Sequence, residues 1–207
     1  MASRICRADP VHVAPAFSLC RDIIMSGGVI VYPTDTFYGL GANPNNPLAV
    51  KKLFEIKGRR ADQPILLLIP DPVYVRDWAV EITPQAERLM KRFWPGPLTL
   101  VFKAREGVMP ALTAGRGTIG LRVPGNALTQ KLLFYLGSAL TGTSANIAGE
   151  PSIETAAEAA AAVGSLVDLV LDGGRAPGDK PSTVVDVSSA RLKVIRTGAI
   201  PREALEE

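Results

Sequence analysis

The amino-acid sequence predicts an α/β protein built around a mostly buried, mixed sheet, and three observations carry that prediction. Apolar runs of strand length alternate along the chain with segments of helical period. Most helical segments are bounded by an Asn-Pro or Thr-Pro opening or by a glycine or proline stop. The 207 residues, 47% hydrophobic, suffice to bury one sizeable core, and neither a repeat nor a linker-like tract divides them. The chain is therefore read as one domain over 1–207, with roughly 14–200 as its core.

Residues 16–26 place Phe17, Leu19, Cys20, Ile23 and Ile24 at helical spacing, and Gly27-Gly28 stops the helix. Residues 29–32, apolar throughout, read as a buried strand. Asn46 and Pro47 supply an N-cap and a first-turn proline for a helix through Leu53, Phe54 and Ile56 that ends at Gly58. Residues 65–69 form the next buried strand. Thr83-Pro84 opens a helix with Ala86, Leu89, Met90 and Phe93 on its inner face, and Pro95-Gly96-Pro97 breaks it. Strands follow at 98–103 and 118–123, helices at 127–136 and 156–163, and strands at 166–171, 183–187 and 192–195.

A net charge of +3 suits a protein that handles phosphates but is mild enough that any nucleic-acid contact would be local. Cys6 and Cys20 have no further partners, so neither a disulfide framework nor a zinc site of ordinary spacing is available. His12 is the only histidine and reads as a surface residue, which excludes Ser-His and Cys-His nucleophile pairs and His-rich metal sites. Chemistry is left to Lys, Arg, hydroxyls, backbone amides or a cofactor metal. No basic segment followed by an apolar core opens the sequence and no apolar run is long enough to span a bilayer, so the expected location is the cytosol, away from membranes.

Gly115, Gly117 and Gly120 match the G-x-G-x-x-G spacing, but a strand-like run follows them instead of a helix, so they do not form a dinucleotide site. Within that run, alternation puts Thr118, Gly120 and Arg122 on one face and Ile119, Leu121 and Val123 on the other. The first face can admit a ligand closely and grip a carboxylate or phosphate; the alternative is a plain solvent face. Lys57, Arg59 and Arg60 around Gly58 either offset a helix dipole or aim at polyphosphate. The small and hydroxyl-bearing residues of 142–149 either cradle phosphate or form an ordinary loop. Residues 33–41, with hydroxyls, one acid and two glycines after a buried strand, are placed to line a crevice. Ser152, Ser182 and Arg196 are uninformative singly.

Taken in order, PTDTFYGLGAN, KGRRADQPILLLI, FWPGPLTLVF, GTIGLRVP, TSANIAGEPS, PSTVVDV and VIRTGAI resemble the YrdC/YciO family of threonylcarbamoyl-AMP synthases, in the short form without an extra C-terminal domain. The resemblance covers nearly the whole chain. It implies an open, twisted sheet flanked by helices around a basic central cavity. It also implies a nucleotidyltransferase that makes threonylcarbamoyl-AMP and pyrophosphate from ATP, L-threonine and bicarbonate. A downstream threonylcarbamoyl transferase would then modify an adenosine beside the tRNA anticodon. Carried across residue by residue, Lys57 and Arg59 are the catalytic cations. Arg59, Gln63, Thr118, Ser144, Asn146, Ser152 and Arg196 hold ATP, while Thr36, Arg122, Gly142 and Ser182 hold threonine. Mg²⁺ held mainly by ATP phosphates is the implied cofactor, with no metal site made of side chains, and tRNA or double-stranded RNA is an implied contact.

The chemistry is coherent without histidine, because the threonine amine and bicarbonate form a carbamate whose oxygen attacks the α-phosphate. Three positions depart from the family's common pattern: Gln63 stands where Asn is frequent, Leu68 where many members carry His, and Arg60 where Pro is frequent. Two other classes remain open at this level. One is a non-catalytic RNA-binding or ribosome-assembly module that grips structured RNA through phosphate contacts; the other is a sibling enzyme acting on carbamoyl-adenylate or removing threonylcarbamoyl groups. Alanine at Lys57, Arg59 or Ser144 is expected to lower turnover with the thermal midpoint nearly unchanged.

Overall fold

The computed structural model describes residues 4–8, 13–58, 60, 62–189 and 191–205, so His12 and Arg59 lie outside the described residues. Its strands are β1 (Ile5–Arg7), β2 (Ile30–Tyr32), β3 (Gly39–Gly41), β4 (Leu66–Leu68), β5 (Leu98–Lys103), β6 (Thr118–Arg122), β7 (Leu140–Ser144), β8 (Leu169–Asp172), β9 (Thr183–Asp186) and β10 (Lys193–Arg196). Its helices are α1 (Ala14–Met25), α2 (Pro47–Lys57), α3 (Val75–Trp78), α4 (Pro84–Phe93), α5 (Pro110–Thr113), α6 (Ala127–Leu136) and α7 (Ala156–Val163). No helix among the described residues is long and apolar enough to cross a membrane.

Four of the helices, α2, α4, α6 and α7, begin at a residue whose side chain caps them. The Asn46 side chain accepts from the amides of Leu48 and Ala49 at 3.0 and 3.2 Å, and α2 ends on Gly58 at φ 59°, a left-handed position that favours glycine. Thr83 accepts from Ala86 N–H at 3.1 Å to start α4, and Asn126 accepts from Thr129 N–H at 3.1 Å to start α6. At α7, Thr155 and Glu158 cap each other's backbone reciprocally.

All ten strands join one open mixed sheet in the order β1-β8-β2-β3-β7-β4-β6-β5-β9-β10. Helices flank it unequally. On one face α2, α4 and α7 bring Leu53, Ile56, Leu89, Met90, Ala159 and Val163 into a single apolar cluster with Leu67, Leu100, Leu121 and Val185 of the sheet. On the other, α1 and α6 bring Phe17, Cys20, Ile24, Leu132 and Leu133 against Ile30, Tyr32, Leu140, Leu169 and Leu171. That second cluster draws its strand residues from β2, β4, β7 and β8, so the same face of β6, β5 and β9 stays uncovered.

The structure departs from the sequence expectation in several places, the unforeseen short helices α3 and α5 among them. The strand expected at 166–171 begins at Leu169, because Gly164–Leu166 forms a 3-10 turn that finishes α7. β1 and β3 carry no strand pattern of their own and are held by distant partners: Ile5 aligns with Val170, and Gly39 with Ser144. β3 needs its glycines because the Tyr32 ring lies against them, and a Cβ at Gly41 would sit 2.6 Å from the ring.

Candidate functional site

The uncovered half of the second face is a cleft of about 840 Å³ that runs across the sheet from β2 to β10. The alternation read in β6 sets its floor: Thr118, Gly120 and Arg122 line it, while Ile119 and Leu121 are fully buried on the opposite side. Four cations, Arg116, Arg122, Lys193 and Arg196, face it together with Asp186, the one carboxylate of the described lining.

Arg122 is held from three directions. Its side chain is 5% exposed, and one terminal nitrogen pairs with Asp35 Oδ1, whose side chain is 14% exposed. Nε donates to the Gly96 carbonyl at 2.9 Å, and the other terminal nitrogen stands 3.5 Å from Thr36 Oγ1. The Trp94-Pro95-Gly96-Pro97 turn delivers that carbonyl, docked just past the end of β6 by a 2.9 Å bond from Gly96 N–H to Val123 O. Asp35 and Thr36 lie in the turn after β2, closed by Thr34 Oγ1, which donates to Phe37 O at 2.6 Å and accepts from the amides of Thr36 and Phe37 at 3.1 and 3.2 Å. Asp35 Oδ2 is buried with no hydrogen-bond partner.

Arg196, on the last strand, grips the turn before β9. Nε and a terminal nitrogen donate to Ser182 O at 3.2 and 2.9 Å, and the latter also reaches Ser182 Oγ at 3.2 Å. Ser182 Oγ lies 2.9 Å from Thr99 Oγ1, which fixes the buried hydroxyl on the cleft wall. Packing around the Arg196 guanidinium, and then the positive charge of Arg122, pull its pKa below the ordinary arginine value. An anion entering between these two cations relieves their mutual repulsion.

The Ser144–Asn146 turn is built on Lys57. This last residue of α2 is 4% exposed, and its ammonium donates to Ser144 O at 2.8 Å, Ser144 Oγ at 3.0 Å, Asn146 O at 2.9 Å and Asn146 Oδ1 at 2.8 Å. The ammonium of Lys57 is thus engaged by a neighbouring loop, an arrangement that neither reading of the cluster around Gly58 gave. Its burial also corrects the expectation that alanine there leaves stability untouched.

Of the residues carried across from the family resemblance, Thr36, Thr118, Arg122, Gly142, Ser144, Ser152, Ser182 and Arg196 line the cleft together. Lys57 and Asn146 stand behind Ser144 as its support. Gln63 lies in the turn before β4, where its amide donates to Arg60 O at 3.2 Å, and its neighbour Pro64 lines the cleft instead. Arg59 falls outside the described residues. The structure adds Thr34, Arg116 and Lys193 to the lining and Asp35 behind Arg122. Asp35 had a signal, as the one acid in the hydroxyl-rich stretch 33–41, whereas Arg116 is hidden between the glycines of a stretch that forms no dinucleotide site.

Known proteins resemble this chain over most of its length. The Sua5/YciO/YrdC family model, described as telomere recombination, matches residues 22–198. The threonylcarbamoyl-AMP synthase of Pyrococcus abyssi is 38% identical over 189 residues, covering 91% of this chain and 56% of that protein. The namesake from Thiobacillus denitrificans is 37% identical over 166 residues, covering 80% and 88%. The crystal structure of P. abyssi Sua5 complexed with L-threonine superposes with a TM-score of 0.92 at 35% identity, over 98% of this chain and 59% of that one. The chain thus spans just over half the length of its P. abyssi relative. With the family model matching most of its length and the fold and cleft in place, the chain belongs to the Sua5/YciO/YrdC family.

Proposed function

We propose that the chain is an L-threonylcarbamoyladenylate synthase, a nucleotidyltransferase whose product serves the threonylcarbamoyladenosine modification of tRNA in the cytoplasm. The observation that carries this reading is the convergence of eight hydroxyl, glycine and guanidinium positions, from Thr36 to Arg196, in one cleft. The names of the relatives and the threonine bound to P. abyssi Sua5 support it.

In this reading Arg122, its guanidinium oriented by Asp35 and the Gly96 carbonyl, takes the threonine carboxylate beside Thr36 and Ser182. Gly142 keeps the wall open, since a Cβ there would lie 2.6 Å from a Leu66 methyl. The threonine amine and bicarbonate give a carbamate and water. A carbamate oxygen bonds to the α-phosphorus of ATP, the bond to the β-bridging oxygen breaks, and pyrophosphate leaves with that electron pair.

Thr118, Ser144, Ser152 and Arg196, with Gln63 and Asn146 nearby, hold the nucleotide. Arg59 and Arg196 offset charge that gathers in the transition state, and Lys57 acts through the Ser144 turn. No three His, Cys, Asp or Glu side chains cluster among the described residues, and the cleft offers only Asp186. That donor set fits a Mg²⁺ ion carried mainly by ATP phosphates, where it would neutralise phosphate charge.

The test is pyrophosphate release by the purified chain with ATP and Mg²⁺. Release is expected only when threonine and bicarbonate are both present; release that ignores either one, or none under any condition, overturns the proposal.

A further inference from the structure

Three segments with neither helix nor strand contribute to the wall of the cleft. Residues 33–38 follow β2 and carry Thr36, residues 145–155 join β7 to α7 and carry Ser152, and residues 173–182 join β8 to β9 and carry Ser182. They lie far apart in the chain and are sewn together by hydrogen bonds. Gly178 N–H donates to Thr36 O at 2.8 Å, Tyr38 N–H to Ile153 O at 2.8 Å, and the Tyr38 hydroxyl to Gly174 O at 2.5 Å. All of these run through residues 33–38. The Ser152 and Ser182 segments are joined directly, among the described residues, by only two polar ties. Ala176 N–H donates to Glu154 O at 2.8 Å, and the Arg175 guanidinium pairs with the Glu154 carboxylate. Glu154 is the anchored side of that pair, because Glu158 at the start of α7 accepts from its amide at 2.9 Å and from that of Thr155 at 3.2 Å. Its side chain lies across Gly178, which sits at φ 73°; a Cβ there would collide with the Glu154 carboxyl carbon.

We propose that Glu154 is a positioning residue that, through Arg175, couples the nucleotide and amino-acid ends of the cleft. This rests on the function proposed above, in which Thr36 and Ser182 meet threonine and Ser152 meets ATP. Threonine held between Thr36 and Ser182 fixes residues 33–38 and 173–182 against each other. Glu154 and Arg175 pass that order on to Ser152, so a nucleotide that binds second has less backbone left to immobilise. An exposed ion pair adds little to global stability, since solvent screens it and its side chains lose entropy. Its effect here is local. Residues 173–182 have no ladder of their own and a single backbone bond to the Ser152 segment, so the pair decides whether the two move together. By linkage the effect is reciprocal, and nucleotide tightens threonine by the factor with which threonine tightens nucleotide.

The experiment compares the full chain with Glu154→Gln, Arg175→Met and the double variant. The probe is α,β-methylene-ATP with Mg²⁺, in which carbon replaces the bridging oxygen at which the reaction breaks the nucleotide. Its affinity is measured by titration calorimetry with and without saturating threonine. In the parent, threonine should tighten the analogue about tenfold. Each single variant should lower that factor to about threefold, and the double variant should lower it no further, because one pair is lost in all three. The analogue alone should bind all four proteins within about twofold, and their thermal midpoints should agree within about 2 °C. Threonine should also slow amide exchange of residues 150–154 in the parent and not in the variants, a transfer that a merely structural role would not produce. A parent without the threonine effect, variants that keep its full size, or losses that add in the double variant each overturn the proposal. So does an equal loss of analogue binding with and without threonine, which marks general damage. A parent whose coupling is lost in the variants but which releases no pyrophosphate refutes the function and leaves the coupling in place. Normal release without coupling refutes only the role of Glu154, and a parent that binds neither threonine nor the analogue refutes both.

Discussion

Replacing Asp35 with alanine leaves the Arg122 guanidinium with the Gly96 carbonyl, a distant Thr36 hydroxyl and an uncompensated charge. Removing one partner of a fully buried pair costs about 3–5 kcal/mol. Here the Asp35 side chain is 14% exposed, and Arg122 lines an open cleft from which water can reach it. Asp35 Oδ2 is also desolvated without a partner, a cost the variant removes. The net loss therefore falls to about 2–3 kcal/mol, or about 4–12 °C in thermal midpoint for a chain of this size. The function should separate from the stability. An Arg122 free to swing raises the KM for threonine about tenfold, or about 1.4 kcal/mol, while the KM for ATP stays within about twofold, because Ser144 and Arg196 are held by Lys57 and Ser182. Asp35→Asn keeps an acceptor oxygen and should recover part of both effects. Scanning fluorimetry and steady-state pyrophosphate release, with each substrate varied in turn, read the two quantities. Unchanged midpoint and threonine KM in Asp35→Ala would refute the positioning role, and an equal rise in both KM values would show general damage instead.

Lys57→Met leaves four acceptors, two buried on Asn146 and two part-buried on Ser144, without their donor and should cost about 3 kcal/mol, about 6–12 °C in midpoint, along with activity; a stable but inactive variant would return Lys57 to a purely chemical role. Burial, reinforced by the nearby Cys6, pushes the Cys20 thiol up to about 12, so iodoacetamide at pH 8 should label Cys20 only after unfolding, as peptide mass spectrometry would show. Glu158 is held below the usual carboxylate range by its bonds to the amides of Glu154 and Thr155. Its contribution is present above the unfolded value and lost as pH falls through the folded one. Glu158→Gln should thus lower the midpoint at neutral pH, with the gap to the parent closing in acid; a gap independent of pH would contradict this.

Much of the fold can be read locally. α2, α4, α6 and α7 start at Asn46, Thr83, Asn126 and Thr155, residues whose side chains bond amides two or three positions ahead, so a few neighbouring residues carry the signal. The alternation in β6 likewise assigns Thr118, Gly120 and Arg122 to a common face before any partner is known. β1 and β3 are invisible at that range, because three-residue strands built on Arg7 or on two glycines take their conformation from the strands beside them. The site divides the same way. The hydroxyl and arginine positions stand out by type and spacing, but that Lys57 would turn under Ser144, or Asp35 behind Arg122, depends on contacts between segments far apart in the chain.

What the residues carry along the backbone is therefore element type, capping and the polar face of each strand, all set by interactions within a turn or a pleat. Strand order belongs to another scale. Leu98 pairs with Thr183 and Leu66 with Gly142 because burying apolar faces under α2, α4 and α7 rewards those long-range pairings. The cleft exists because α1 and α6 cover only part of the opposite face, a consequence of how many helices pack where, which no single stretch of residues encodes.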